Sequence, residues 1–289
     1  PNETRVVLKS NGNIEDYEYE GVKNNLIKNN IYLGKVSRVE PSLQAAFIDF
    51  GRERHGFLSF NDIQSDYYQI PQSDLAIIKK EEERARENLL KESEQLEEQN
   101  LNEGNLSSED PVEKNLDINE NNGFKSQEIR HPKKRYKIQE VIKPNQVILT
   151  QVLKDERGLK GAALSTFISV AGKYIVLMPN TSKGGGISRK IFNPNDRKKI
   201  RTILNEIEIP KEMGLIVRTA GSNKTKNEIN HDLQNLIKTW NLIKENAMNA
   251  IAPALIHQES EIIKRTIRDM YDENTKNIII EGHEGYKKA

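Results

Sequence analysis

Cysteine is absent from the 289 residues, and tryptophan occurs once. Without cysteine, disulfides and thiolate metal sites are excluded, and a reducing compartment is allowed. Long apolar runs are also missing. Stretches such as Tyr174 to Met178 fall far short of the roughly 20 residues that span a bilayer. The opening PNETRVVLKS has no apolar h-region, so no signal peptide is expected. Apolar residues are 35% and charged residues 30%. That is little apolar content for one globule of this length, and it points to a polar insertion among two or three small domains. One-sided charge is lacking overall, at net +1, but not locally. Between Glu81 and Glu128, 15 acidic residues face 5 basic ones, a balance of −10, so the rest carries +11. The parts expected to fold are therefore basic, which fits a nucleic-acid partner. Ribosomal, mitochondrial and membrane-surface proteins share that trait.

What is present begins with Ile31 to Phe60, IYLGKVSRVEPSLQAAFIDFGRERHGFLSF. Tyr32 to Val39 alternates and is rich in β-formers, and Glu40-Pro41-Ser42 breaks it. Ala45 to Phe50 is a second run and Gly56 to Phe60 a third. Successive strand side chains point to opposite faces. Ile48 and Phe50 share one face, as do Leu58 and Phe60. Phe47 falls on the other face with Asp49, and Phe57 with His55 and Ser59. Two phenylalanines on polar strand faces, near Lys35, Arg38, Arg52 and Arg54, make a platform on which unpaired bases can stack, each worth about 1–3 kcal/mol. Completion of the core is the alternative reading of the same spacing.

The flanking chain reads in order. Thr4 to Leu8 and Ile14 to Tyr19 form a hairpin over Ser10-Asn11-Gly12-Asn13. Leu75 to Leu101 is a solvated helix with a thin apolar stripe, and Asn102 to Lys134 buries too little to order. A basic run, Arg130 to Arg135, ends the insertion. Tyr136 to Leu153 gives two β runs about Lys143-Pro144-Asn145. Phe167 to Val170 and Tyr174 to Met178 are strands meeting at Ala171-Gly172. Asn193 caps a helix that Pro194 opens. Gly214 to Val217 is a short strand. Ile229, Leu233, Leu236, Trp240, Ile243 and Ala247 give a long helix from about Asn227 to Met248 its buried face, with the tryptophan in the core. A second helix covers Glu259 to Met270, and NIIIEG starts a buried strand at Asn277 to Ile280.

Two motifs suit phosphate. In GLIVRTAG, Arg218 offers a planar fork of donors just past a strand end, and Thr219 adds a hydroxyl. In KGGGISRK, Gly184 to Gly186 allow backbone N–H groups to approach an anion. Alone, such glycines serve equally as a mobile turn and such an arginine as a solvated one. No P-loop is present, and His257 with Glu259 lacks the second histidine a zinc pair needs.

The stretch YLGKVSRVEPSLQAAFIDFGRERHGFL resembles the S1-type RNA-binding domain of the ribonuclease E/G family. FISVAGKYIVLMPN, GGISRKI and GLIVRTAG are similar to that family's 5′-end sensor, and the likeness continues through HDLQNLIKTW and APALIHQESEIIKRTIRDMY. The resemblance implies an α+β chain: an S1-type OB-fold β-barrel, an α/β 5′-sensor unit and a partial RNase H-like subdomain. Residues 1–30 would be the first part of the RNase H-like subdomain. Residues 31–166 would be the S1-type domain, with a long acidic, disordered insertion at about 65–135. Residues 167–256 would be the 5′-sensor, and 257–289 the second, incomplete RNase H-like part. Phe47, Phe57 and Lys160 would contact RNA. Arg218 and Thr219 would grip a 5′-phosphate, Gly172 would make a backbone contact, Val176 would pack against the first base, and Arg189 would support the pocket.

The implied function is binding of single-stranded RNA and sensing of its 5′-monophosphate, within an endoribonuclease of RNA processing and decay that is cytoplasmic or, through other parts of the parent, membrane-associated. A homo-oligomer is implied for the full-length parent, and no small-molecule substrate. The catalytic aspartates with their magnesium, and the zinc of the ribonuclease E branch, belong to a C-terminal part. This chain is expected to carry no catalytic residue, metal or cofactor and to be inactive alone. A non-catalytic RNA-binding adaptor is the alternative, and a scaffold using the long helix as a protein interface is a third reading.

Overall fold

The computed structural model describes residues 3–21, 27–81, 84, 136–158, 160–181, 186–210, 212–259, 262–271 and 275–289. The chain divides into one unit of 1–70 with 137–289 and another of 71–136. Of the second unit, a helix α1 is described over residues 72–81. Most of the acidic insertion expected to be disordered, and the basic run Arg130 to Arg135, lie outside the described residues.

The first unit opens with strands β1 (Glu3–Ser10) and β2 (Asn13–Gly21), paired antiparallel. Asn11 and Gly12 both take positive φ, 49° and 90°. That is the twist a two-residue hairpin turn requires. Strands β3 (Ile31–Glu40), β4 (Ala45–Asp49), β5 (Gly56–Ser59), β6 (Val147–Lys154) and β7 (Ala163–Ser165) then form a barrel. Their order is β3-β4-β5-β7-β6, and β6 pairs back onto β3, so no edge is left open. The β5–β7 pairing is parallel and the others antiparallel. The result is an OB-fold barrel in an α+β chain. Val36, Ile48, Phe50, Leu58, Ile148, Val152 and Leu164 fill it and are buried. Gly34 is needed where β3 crosses β4, since a Cβ there would stand 2.4 Å from the Ile48 side chain.

One expected strand is a helix. The run beginning at Tyr136 contains the single turn α2 (Ile138–Val141), and only its second half, β6, is a strand. Ile138 and Val141, three residues apart, share one helical face and are both buried. The Lys137 N–H donates to the Glu140 carboxylate at 2.8 Å, which caps the turn.

A second sheet runs β10 (Gly186–Ile187), β11 (Gly214–Val217), β9 (Ile175–Met178), β8 (Val170–Ala171). The first run about the glycine turn is thus two residues long. Helix α3 (Pro194–Glu206) begins as expected, with the Asn193 side chain accepting from the Asn195 N–H and proline in the first turn. Helix α4 (Lys226–Asn249) begins at a capping box of Thr225 and Glu228. Ile229, Leu233, Leu236, Trp240 and Ile243 on α4 pack with Ile175, Leu177, Leu215 and Val217 of the sheet and Ile200 of α3. The tryptophan is a core residue. Strand β12 (Ala254–His257) pairs with the barrel's β3. Helix α5 (Ile262–Met270) follows, its Arg265 bonded to Glu18 of β2 at 3.1 Å, and α6 (His283–Lys288) comes last. Residues 277–280 differ from expectation. They form no strand, and Ile279 is 93% exposed. Apolar content suggested a buried strand there, but no described strand pairs with it.

Candidate nucleic-acid interface

The barrel brings Phe47 and Phe57 into direct cross-strand register. Their ring centroids are 6.0 Å apart and the planes meet at 74°. This edge-to-face contact is a favoured aromatic pairing. Phe57 is 36% exposed, and Phe47 is half-buried, with the Arg38 guanidinium 4.4 Å above its ring. Ser37, Arg38, Phe47, Glu53, Arg54, His55 and Gly161 line a hollow of about 430 Å³ at this face. Gly161 closes one wall. A Cβ on it would lie 2.1 Å from the His55 carbonyl oxygen, so only glycine lets the loop approach. Arg54 donates to the Gly158 carbonyl and ties that loop down. Lys160 is exposed in the same loop, in an isolated bridge with Arg157, and is not part of the hollow's lining.

The phosphate candidates gather at the end of β11. Arg218 sends Nη1 to the Gly172 carbonyl at 2.7 Å and Nη2 to Asp269 Oδ1 at 2.7 Å. Its backbone N–H donates to the Tyr174 carbonyl. Thr219 is exposed at the start of a 3₁₀ turn, Thr219–Gly221. Gly172 is buried, and its N–H is engaged with the Ile175 carbonyl. A backbone contact from Gly172 to a ligand therefore competes with the turn. Val176 is half-buried on β9, opposite Ile216 and Ala171. Arg189 is exposed just beyond β10, whose Ile187 lies level with Val217. Of the triple glycine, Gly184 and Gly185 lie outside the described residues.

Several residues here escaped the sequence reading. Asp232 of α4 accepts the Tyr174 and Ile175 N–H groups at 2.9 and 3.2 Å. It left a signal, an acid three residues after Ile229 and four before Leu236, on the buried stripe. Arg268 grips Asp269 through Nε and Nη2, and Glu259 at 2.7 Å. Burial raises the Asp269 carboxyl, but hydrogen bonds and charge from Arg268 and Arg218 outweigh it and hold the group below its ordinary value. Lys173 places its Nζ 5.5 Å from the Tyr174 ring and 5.2 Å from that of Tyr271, and Lys224 lies 5.4 Å from the Tyr174 ring. No local pattern marks these contacts. Among the described residues, no cluster of three or more His, Asp or Glu side chains could hold a metal ion.

A profile of the Ribonuclease E/G family matches residues 169–289. Ribonuclease E of Haemophilus influenzae is 35% identical over 287 residues, covering 99% of this chain and 24% of that protein. Ribonuclease E of Escherichia coli K12 is 36% identical over 279 residues, covering 96% of this chain and 21% of that protein. The same protein of Buchnera aphidicola from Schizaphis graminum is 34% identical, with 96% and 23% covered. The chain thus spans about a quarter of the length of these relatives. The family match over residues 169–289 and alignments to ribonuclease E proteins along nearly the whole chain place it in the ribonuclease E/G family.

Proposed function

We propose that this chain binds single-stranded RNA on the barrel and reads a 5′-monophosphate at Arg218 and Thr219, within an endoribonuclease of RNA processing and decay. The observation that carries the reading is the ring pair Phe47–Phe57, in register on an open barrel face with Arg38 stacked on it. Partly exposed rings beside cations give unpaired bases a π-surface, whereas paired bases hide their faces in the duplex. The barrel then acts as an S1-type domain. At the second sheet, Arg218 stands at a strand end with 27% of its side chain exposed, next to the Thr219 hydroxyl. A planar guanidinium suits a phosphate better than a point charge does.

The test is a binding titration of this chain with one oligoribonucleotide in three forms: 5′-phosphorylated, 5′-hydroxyl, and annealed to its complement. The reading expects the phosphorylated single strand to bind most tightly and the duplex least. Equal affinity for single strand and duplex would reject the platform, and equal affinity for the two 5′ ends would reject the sensor.

A further inference from the structure

The segment 172–174 wraps Arg218 from two sides. The Gly172 carbonyl takes the guanidinium, and the Tyr174 carbonyl takes the backbone N–H. Lys173 lies between them in the chain, so its side chain leaves from the rim of the same site. Helix α5 supplies the facing wall. Its Asp269 holds Arg218, its Arg268 reaches the Ala171 carbonyl at 3.4 Å, and Tyr271 stands just past its last turn. The Lys173 ammonium bridges the two elements, 5.2 Å from the Tyr271 ring and 5.5 Å from that of Tyr174. Among the described residues Lys173 has no ion-pair partner, and Tyr271 is 44% exposed.

We propose that Lys173 and Tyr271 form a subsite for the nucleotide that follows the 5′ end. The inference rests on the reading of Arg218 as the 5′-phosphate contact. Tyr271 stacks on the second base, and Lys173 meets the phosphodiester that joins the first nucleotide to the second. The chemistry suits each part. A tyrosine ring offers a face to any base, so the subsite is indifferent to sequence. A lysine is a compact charge on a flexible stem, able to follow a phosphodiester, whereas the Arg218 guanidinium is held in one orientation by two acceptors. The pairing of Lys173 with two rings orders its chain before RNA arrives, which lowers the entropy lost on binding. Val176, on β9 beyond Tyr174, is a separate position and is left to the first base.

The experiment uses this 289-residue chain and 5′-phosphorylated RNA decamers, either intact or carrying an abasic residue at position 2 or at position 6. Tyr271→Ala should lower affinity for the intact decamer roughly five-fold or more, as expected for one lost stack. The abasic residue at position 2 should cost the wild type a similar factor, and the two losses should not multiply when combined. The abasic residue at position 6 should cost the same in wild type and Tyr271→Ala. Tyr271→Phe should retain affinity, which separates the ring from its hydroxyl. Lys173→Ala should lower the magnitude of the salt dependence, log affinity against log salt, by about 0.7, the share of one phosphate in a single strand. If Tyr271→Ala binds the intact decamer as wild type does, or if its loss multiplies with that of the position-2 abasic residue, the subsite is overturned. A wild type that does not distinguish 5′-phosphate from 5′-hydroxyl ends overturns the Arg218 reading first, and the subsite with it. A preserved preference with an unaffected Tyr271→Ala removes the subsite alone.

Discussion

Phe57 and Arg218 are both incompletely used by the fold, and their chemistry differs. More than a third of the Phe57 surface meets water, so its ring gives little of its apolar area to stability. Phe57→Ala should weaken single-strand binding by about 1–3 kcal/mol, read by filter binding. The melting temperature should fall only slightly, because the lost contact is one edge-to-face pair worth about 0.5–1.5 kcal/mol. Unchanged affinity would mean that the ring serves only the barrel. Arg218 tests shape against charge. Arg218→Lys keeps the cation but not the fork, and so cannot span both the Gly172 carbonyl and Asp269 while facing a phosphate. Both Arg218→Lys and Arg218→Ala should abolish the preference for a 5′-phosphate over a 5′-hydroxyl. A lysine variant with full preference would show that charge alone suffices.

Among the elements, α4 and the 171–174 turn decide whether the second sheet holds its geometry. The Thr225 side chain accepts the Glu228 N–H, and Glu228 accepts in return from the Thr225 N–H. Thr225→Ala removes the hydroxyl that accepts the Glu228 N–H, leaves that donor unsatisfied at the helix start, and should cost about 1 kcal/mol, seen as a lower urea midpoint. The turn depends on Gly172. A Cβ there would stand 2.6 and 2.8 Å from the Asp232 carboxylate oxygens. That carboxylate holds the Tyr174 and Ile175 N–H groups, so it has little room to move away. Gly172→Ala should therefore cost about 1–3 kcal/mol by overpacking. It should also blunt the 5′-end preference, because the Gly172 carbonyl is a partner of Arg218. Full stability and full preference in that variant would show that Asp232 yields without consequence.

Across the first unit, pH acts through His257. It lies on β12, the strand that follows α4 and pairs with the barrel's β3. Burial pushes its pKa below the ordinary value of 6.5, against the pull of Glu259. The folded state thus binds this proton less readily than the unfolded chain. The contribution of neutral His257 is complete above pH 6.5 and is lost as pH falls through that value toward the lower folded pKa. Urea midpoints should decline from pH 7.5 to 5.5, and His257→Gln should flatten the decline. Asp269 has the usual carboxylate sign. Its pKa is depressed, so its contribution persists above about 4 and disappears only in stronger acid. The two windows are separate, and the neutral-range slope therefore reports the histidine. An identical decline in His257→Gln would assign it elsewhere.

The features that the sequence by itself determined are those whose cause lies within a few residues. Alternation placed Phe47 and Phe57 away from the barrel's filling, because a strand's side chains can only alternate. Asn193 with Pro194 marked a helix start, and the α4 stripe put Trp240 in the core. The tertiary structure decided whatever depends on which distant partner arrives. Ile138 and Val141 suit a strand or a helical turn equally, and the barrel's packing chose the turn. The isoleucines of 277–280 suit a buried strand, yet burial requires a neighbour, and no described strand pairs with them. Asp269 reaches Arg218 across 51 residues, and Arg38 covers Phe47 only because β3 and β4 pair in their observed register. Short-range sterics and periodicity can be read along a chain. Pairing between charges and rings exists only after the backbone has closed, since it depends on distances that no local pattern contains.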